Sequence, residues 1–557
     1  MNFSNDSANS DFMNVSLHLK HMAKIQPYKR AVIYPLGKDE YGRIAYTHLT
    51  FQQLDRESDI IAHGLEKAGI KRGMRTVLMV KPSLEFFAVT FALFKTGAVP
   101  VVVDPGMGIS RLIRCLNESR PRAFIGISKA HLVRILFPKY FKTVKHLIII
   151  SRHRFWRGIT LKEIYKAAWK PYPVAKTRRN EIAAILFTTG STGPAKGTVY
   201  THGTFDAQIR TIRSHFNITT DEIDLPTFPL FALFDPALGM TAVIPDMDFT
   251  KPANVNPCKI IEAAEDQGIT NMFASPALLD RVGLYGEKKG VKLPSLKRVI
   301  SAGAPVSPSV IERFAGMLGK DAEIHTPYGA TEAMPAASIC SSEILSETGK
   351  LSKQGFGICV GRPVDGIELK IIKISDHPVD KWSDDLIVPE STIGEIVVKG
   401  DLVTRSYFKK TEAQTLSKIN EKDQVWHRMG DLGWMDRKGR IWFCGRKSHR
   451  VKTEKRELYT IPCEAVFNNH PQVFRSALVG IGPRSNQKPV ICIELNHDKK
   501  SENRAKLEKE LLELAKSNMQ TEDISTILFH RSFPVDIRHN AKIFREKLAI
   551  WAENRLS

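Results

Sequence analysis

The residues best suited to chemistry begin with Phe187-Thr188-Thr189-Gly190-Ser191-Thr192-Gly193-Pro194-Ala195-Lys196-Gly197. Gly190, Gly193 and Gly197 permit a tight loop whose backbone N–H groups turn toward an anion, while Thr188, Thr189, Ser191 and Thr192 add hydroxyls and Lys196 adds charge. A loop of this kind holds polyphosphate. It is not a Walker A loop, because Lys196 stands between Ala195 and Gly197 rather than before Ser or Thr. An ordinary Gly/Ser/Thr surface turn is the alternative. In Ser301-Ala302-Gly303-Ala304-Pro305, small residues let the backbone approach a flat adenine. In Tyr328-Gly329-Ala330-Thr331-Glu332, Tyr328 offers a face to a purine, Thr331 a hydroxyl to a phosphate and Glu332 a hard oxygen ligand to Mg²⁺, although alone the segment reads equally as a turn. Phe228 to Gly239 is an apolar stretch around one carboxylate, Asp235. It suits an acyl pocket, with Phe228, Phe231, Phe234 and Leu238 as its wall, and equally a core segment with Asp235 in a proline turn.

These groups need strands and helices to hold them. Ala183 to Leu186 reads as a buried strand ahead of the phosphate loop, and Thr76–Val80, Val99–Asp104 and Leu147–Ile150 read likewise, with helices over Ser83–Lys95 and Ile109–Glu118 between them. That alternation predicts a parallel sheet with crossover helices. Further strands are expected at Asn271–Ala274, Arg298–Ser301 and Ile393–Val398, and an amphipathic helix from Ser501 to Asn518 carries Leu507, Leu511 and Leu514. A chain of 557 residues is too long for one core. Its net charge of +22 and pI of about 9.6 favour anionic partners, without choosing among nucleotides, acidic lipid, nucleic acid and acidic proteins. Seven scattered cysteines without Cys-x-x-Cys indicate neither a disulfide framework nor a zinc site, which fits a reducing cytoplasm. The polar start and the lack of an apolar run near the roughly 18 residues of a spanning helix argue against secretion and membrane spanning. Arg152 to Arg157 mixes basic and aromatic residues, as a peripheral membrane contact or a solvated insertion would.

The phosphate loop resembles that of the ANL superfamily of adenylate-forming enzymes, and the other motifs follow in that family's order. The resemblance implies an α/β and α+β fold: a large N-terminal domain (residues 1–435) of parallel-sheet α/β subdomains with a small β-barrel-like subdomain, and a small mobile C-terminal α+β domain (436–557). It implies ATP and Mg²⁺ as cofactors, with Gly303, Ala304, Pro305, Tyr328 and Gly329 at the adenine, Asp431 and Arg446 at the ribose, Thr331 at a phosphate and Glu332 at the metal. It also implies a hinge at Asp436 and a catalytic lysine at Lys542, where Ala541 replaces the family's usual glycine.

In the acyl region the chain departs from the ligases, which usually carry His where Ala232 stands. Phe234-Asp235-Pro236-Ala237-Leu238-Gly239 instead looks like the olefin β-lactone synthetase branch. That implies adenylation of a long-chain 2-alkyl-3-hydroxy acid, attack of the 3-hydroxyl on the activated carbonyl with Asp235 orienting or deprotonating it, and an assembly with a β-lactone decarboxylase and a ketoreductase. A fatty acyl-CoA ligase or fatty acyl-AMP ligase is the alternative. The charged turn Thr453 to Glu457, where those ligases carry a glycine beside the pantetheine tunnel, speaks against the former. A basic nucleic-acid-binding or scaffold protein would need a recognisable binding motif, and none is present.

Overall fold

The computed structural model describes residues 12–151, 158–167, 169–188, 195–496, 504–535 and 543–556. The stretch from Arg152 to Arg157 and the expected helix start at Ser501 lie outside the described residues. Short apolar runs rich in valine and isoleucine bury both faces, as parallel strands must. Val99–Val103, Arg75–Met79, Ala123–Gly126 and His146–Ile149 form the parallel heart of an eight-stranded sheet. Ile182–Thr188 joins it parallel to Val99–Val103, and Lys196–Thr201 returns antiparallel beside Ile182–Thr188. The phosphate loop is therefore the connection of a hairpin at the sheet's C-terminal edge, with Thr188 and Lys196 paired at its base. The expected helix after Ser83 runs Leu84–Thr96; the Ser83 side chain caps it by accepting the Phe86 N–H, and Gly97 ends it at φ 69°.

The second sheet has fourteen strands. Arg30–Lys38, Thr241–Val243, Ile223–Pro226, Asn271–Ala274, Arg298–Ser301 and Glu323–Ala330 run parallel, so the segments that follow the last four emerge at one edge. From Ala333–Cys340 onward the sheet continues antiparallel through Ile358–Pro363, Ile441–Arg446, Gln424–Met435, Gly394–Gly400 and Ile367–Ile372. The C-terminal unit packs Thr460–Asn468, Arg504–Lys516 and Arg545–Leu556 with the sheet Val473–Ile481, Lys488–Leu495 and Ile527–Phe529. Leu507 and Leu511 of its middle helix are buried and Leu514 partly so.

The hinge and boundary expected at Asp436 are corrected by this topology. Ile441–Arg446 pairs with both Gln424–Met435 and Ile358–Pro363, so the chain stays in the large sheet through Arg446 and leaves it at the single turn Lys447–His449. Asp436 closes the hairpin between the two long strands. Its carboxylate accepts the N–H groups of Lys438 and Arg440 at 2.9 Å each, Arg440 Nε at 2.7 Å and Trp442 Nε1 at 3.0 Å. Charge and a glycine at 436–440 resemble a linker in sequence, but here they are the ingredients of a tight turn.

The C-terminal unit rests on the large domain through ion pairs. Asp376 takes Arg450 Nη2 at 2.8 Å and Lys452 Nζ at 2.9 Å, and the buried Glu395 takes Lys447 at 2.9 Å. Gln520 Nε2 donates to the Gly355 carbonyl at 2.9 Å.

Candidate active site

The Glu323–Ala330 and Ala333–Cys340 strands pair Ala330 with Ala333, which leaves Thr331 and Glu332 as the two-residue turn of a hairpin at the edge where the parallel strands end. A side chain on Gly329 would place its Cβ 2.4 Å from the Ala333 carbonyl oxygen, so glycine is required where the two strands close on each other. Tyr328 points into the sheet junction. Its hydroxyl donates to Asp431 Oδ2 at 2.7 Å, and Asp431 Oδ1 lies 3.0 Å from Arg446 Nη1 in an ion pair that lacks hydrogen-bond alignment. Asp431 and Arg446 are cross-strand partners, which fixes that pair by register. Burial raises the Asp431 carboxyl above its ordinary value, and Arg446 and Tyr328 act against the rise. Burial and then Asp431 raise the Tyr328 phenol well above its own. Gly303, Ala304 and Pro305 follow the Arg298–Ser301 strand, two strands from Ala333–Cys340 across Glu323–Ala330, with Gly303 at φ 96°.

The structure thus brings together Tyr328, Asp431 and Arg446, with Thr331 and Glu332 on the turn just beyond. Glu332 Oε1 accepts the Tyr407 hydroxyl, its carbonyl accepts the Thr404 N–H at 2.8 Å, and the Tyr200 hydroxyl donates to the Thr331 carbonyl. Lys196 lies with its Nζ 5.1 Å from the centre of the Tyr407 ring. The buried Lys418 lies 5.9 Å from that centre and donates to the Thr404 carbonyl; burial lowers its ammonium to about 7. Tyr407, Lys418 and Tyr200 escaped the sequence reading because no motif marks them.

Thr189, Gly190, Ser191, Thr192, Gly193 and Lys542 lie outside the described residues, as does the side chain of Thr188. The flanks of Lys542 are held: Val535 bridges to Ile543, and Arg545 Nη1 and Nη2 reach the Glu464 carboxylate at 2.6 and 3.0 Å. His449, three residues beyond Arg446, has its Nε2 3.3 Å from Glu546 Oε1, on the helix that follows Ile543.

The acyl region divides. Phe231 stacks on Phe273 with ring centres 3.8 Å apart, Phe228 is 43% exposed beside the same ring, and Phe234 packs edge-on to Phe205, which stacks on Tyr200. Leu238 belongs to the core instead: it is 1% exposed, within a helical turn that packs on the Leu17–Ile25 helix. Asp235 lies in the same turn. It is 1% exposed and neither carboxylate oxygen has a hydrogen-bond donor among the described residues. Its titrating neighbour is Asp224, itself bonded by Asn271. Burial, then Asp224, pushes Asp235 well above the ordinary carboxylate range, and burial pushes Asp224 up to about 7.

The residues fit the metal that accompanies a nucleotide. Magnesium bound with phosphates takes one or two protein carboxylates rather than a protein cage. Glu332 offers one, partly exposed and with only Oε1 engaged, and among the described residues no cluster of three or more potential ligands occurs.

The sequence pattern of the AMP-binding enzyme family matches residues 19–408. The chain is 44% identical over 546 residues to an olefin beta-lactone synthetase of Xanthomonas campestris pv. campestris, covering 97% of each, and 44% identical over 551 residues to one of Stenotrophomonas maltophilia, covering 98% of each. A 2-succinylbenzoate–CoA ligase of Bacillus cereus is 25% identical over 438 residues, 78% of this chain and 80% of that protein. Among solved structures, the anthranilate CoA ligase AuaEII in complex with anthranoyl-AMP superposes with a TM-score of 0.79 at 18% identity, covering 98% of both chains. MenE of Bacillus subtilis with ATP and magnesium superposes with a TM-score of 0.73 at 20% identity, covering 95% of this chain and 98% of that one. The hairpin phosphate loop, the Tyr328–Asp431–Arg446 cluster and these matches together make the chain a member of the AMP-binding, adenylate-forming ANL enzyme family.

Proposed function

We propose that the protein is an AMP-forming β-lactone synthetase acting on long-chain 2-alkyl-3-hydroxy acids. The observation that carries the reading is the 44% identity to olefin beta-lactone synthetases along nearly the whole chain, small domain included. In the first step the substrate carboxylate attacks the α-phosphorus of ATP, an acyl–phosphate bond forms, and pyrophosphate leaves. The loop from Thr188 to Lys196 holds the phosphates, Tyr328 and the small residues Gly303–Pro305 take the adenine, and Asp431 with Arg446 takes the ribose. Arg446 already sits against the Asp431 carboxylate, which supports a charged acceptor there despite its burial. Glu332 holds Mg²⁺, which when bound neutralises charge on the phosphates. Lys542 meets the charge that develops between carboxylate and phosphate.

In the second step the 3-hydroxyl oxygen bonds to the carbonyl carbon of the same molecule, the bond to AMP breaks, and the hydroxyl proton is released. Intramolecular attack needs no acceptor channel and gains from a large effective molarity. Phe228, Phe231 and Phe234, with Phe273 behind them, form the aromatic surface that folds the alkyl arms. The turn Thr453–Arg456 supports a route without coenzyme A: it is closed by the Arg456 N–H on Thr453 Oγ1 at 3.1 Å and pinned by Arg456 to Asp523 at 2.6 Å.

Mass spectrometry of products tests the reading. With MgATP and no coenzyme A, the 3-hydroxy acid should give AMP and a product lighter than the acid by one water, and the 3-deoxy acid should stop at acyl-AMP. A thioester formed from the 3-deoxy acid and coenzyme A at a comparable rate would make the protein a ligase.

A further inference from the structure

The segment from Thr404 to Phe408 touches two parts of the active site that are far apart in sequence. On one side it pairs with the strand leaving the phosphate loop: Tyr407 lies opposite Thr198, and the Phe408 N–H donates to the Gly197 carbonyl at 2.7 Å. On the other it grips Glu332 twice, through the Thr404 N–H on its carbonyl at 2.8 Å and the Tyr407 hydroxyl on Oε1. The segment is itself held from behind by Lys418, whose Nζ donates to the Thr404 carbonyl. Lys418 is 5% exposed, and the charge that favours its ammonium against burial is that of Glu332. Burying an ammonium is costly, so a residue with a shorter apolar side chain would serve the core better. Its position is explained by what it holds: Lys418 and Lys196 lie 5.9 and 5.1 Å from the same Tyr407 ring.

We propose that Tyr407 and Lys418 are positioning residues for the Glu332 carboxylate, and that Thr404–Phe408 is a brace that makes the phosphate loop and the metal site one unit. The inference rests on Glu332 holding the metal. Tyr407 occupies Oε1, fixes the rotamer of Glu332 and leaves Oε2 for the cation that arrives with ATP. Lys418 holds the Thr404 carbonyl and so keeps Tyr407 in reach. Residues that orient a metal ligand typically matter about 10- to 100-fold in metal affinity.

The test measures Mn²⁺ binding to the full-length enzyme with a non-hydrolysable ATP analogue by electron paramagnetic resonance, beside the Mg²⁺ dependence of ATP–pyrophosphate exchange and a thermal melt. Tyr407→Phe should weaken Mn²⁺ about tenfold and raise the half-saturating Mg²⁺ in proportion, with kcat at saturating Mg²⁺ little changed. Lys418→Met should act in the same direction, and Lys418→Arg should restore most of the loss. A folded Tyr407→Phe enzyme with wild-type Mn²⁺ affinity would overturn the brace, as would a Lys418→Met enzyme altered only in its melting temperature. Glu332→Gln separates the two levels: wild-type Mn²⁺ affinity in that variant would remove Glu332 from the metal site itself, whatever Tyr407 does.

Discussion

Asp431 and Asp235 are 3% and 1% exposed, both are aspartates in segments expected to do chemistry, and burial raises the carboxyl of each. Their surroundings differ in kind. Asp431 has a phenol hydroxyl at 2.7 Å and a guanidinium at 3.0 Å, so its charge has a counter-ion and it can accept further hydrogen bonds. Asp235 has no donor among the described residues and faces another acid, so burial and that neighbour both push its carboxyl upward. Burial makes a carboxylate's charge expensive, and its neighbours decide whether the charge is kept. An acid with a cation beside it fits the recognition of hydroxyls. An acid with an acid beside it fits a structural pair under the acyl region.

Substitutions at these acids break or sharpen the contrast. The largest effect is expected for Asp431→Ala, which removes the proposed ribose acceptor and leaves Arg446 without its partner; ATP–pyrophosphate exchange should fall by about 100-fold or more. An effect under threefold in a folded protein would remove Asp431 from the nucleotide site. Next, Asp436→Ala should act on stability instead of chemistry. It removes one of three carboxylates around Arg440 and the acceptor of the Lys438 and Arg440 N–H groups and of Trp442 Nε1, at a cost of about 1–3 kcal/mol in urea unfolding, while exchange by the folded fraction stays near wild type. A loss of turnover without a loss of stability would return the pivot to that turn.

The acid pair predicts a pH dependence of smaller size. Because Asp224 is raised from 3.8 to about 7, the native pair binds more protons than the unfolded chain between those values, and stability should fall as pH rises through that window. Asp235→Asn, which removes one of the two acids, should flatten that slope in unfolding measurements from about pH 4 to about pH 8. An unchanged slope would mean that the pair does not share a proton. The smallest effect is expected for Asp235→Asn on adenylation itself, less than about threefold, since the amide keeps the shape of a side chain that is 1% exposed. A loss approaching that of Asp431→Ala would put Asp235 back in the reaction.

Much of this was legible in the chain because the relevant signals are local. The polyphosphate loop is contiguous, its strand is a run of apolar residues, and a Gly–x–Thr–Glu turn carries its own geometry; the helices expected at Ser83–Lys95 and Ile109–Glu118 differ from those observed by no more than a residue at either end. Leu238 misled because an apolar residue in an apolar run reads the same in a pocket wall and in a core. Asp436 misled because tight turns and linkers share charged residues and glycine, and only the pairing of the strands on either side tells them apart.

The sequence by itself determined the order of the motifs and the family, since each depends on residue types at short spacing. Tertiary structure alone decided which acids have a cation beside them and which residues hold Glu332. Tyr407 lies 75 residues beyond the carboxylate it grips, and Asp224 and Asp235 meet only because a strand and a helical turn pack together. A side chain's protonation and orientation are set by the neighbours that folding brings near it, and spacing along the chain does not encode them.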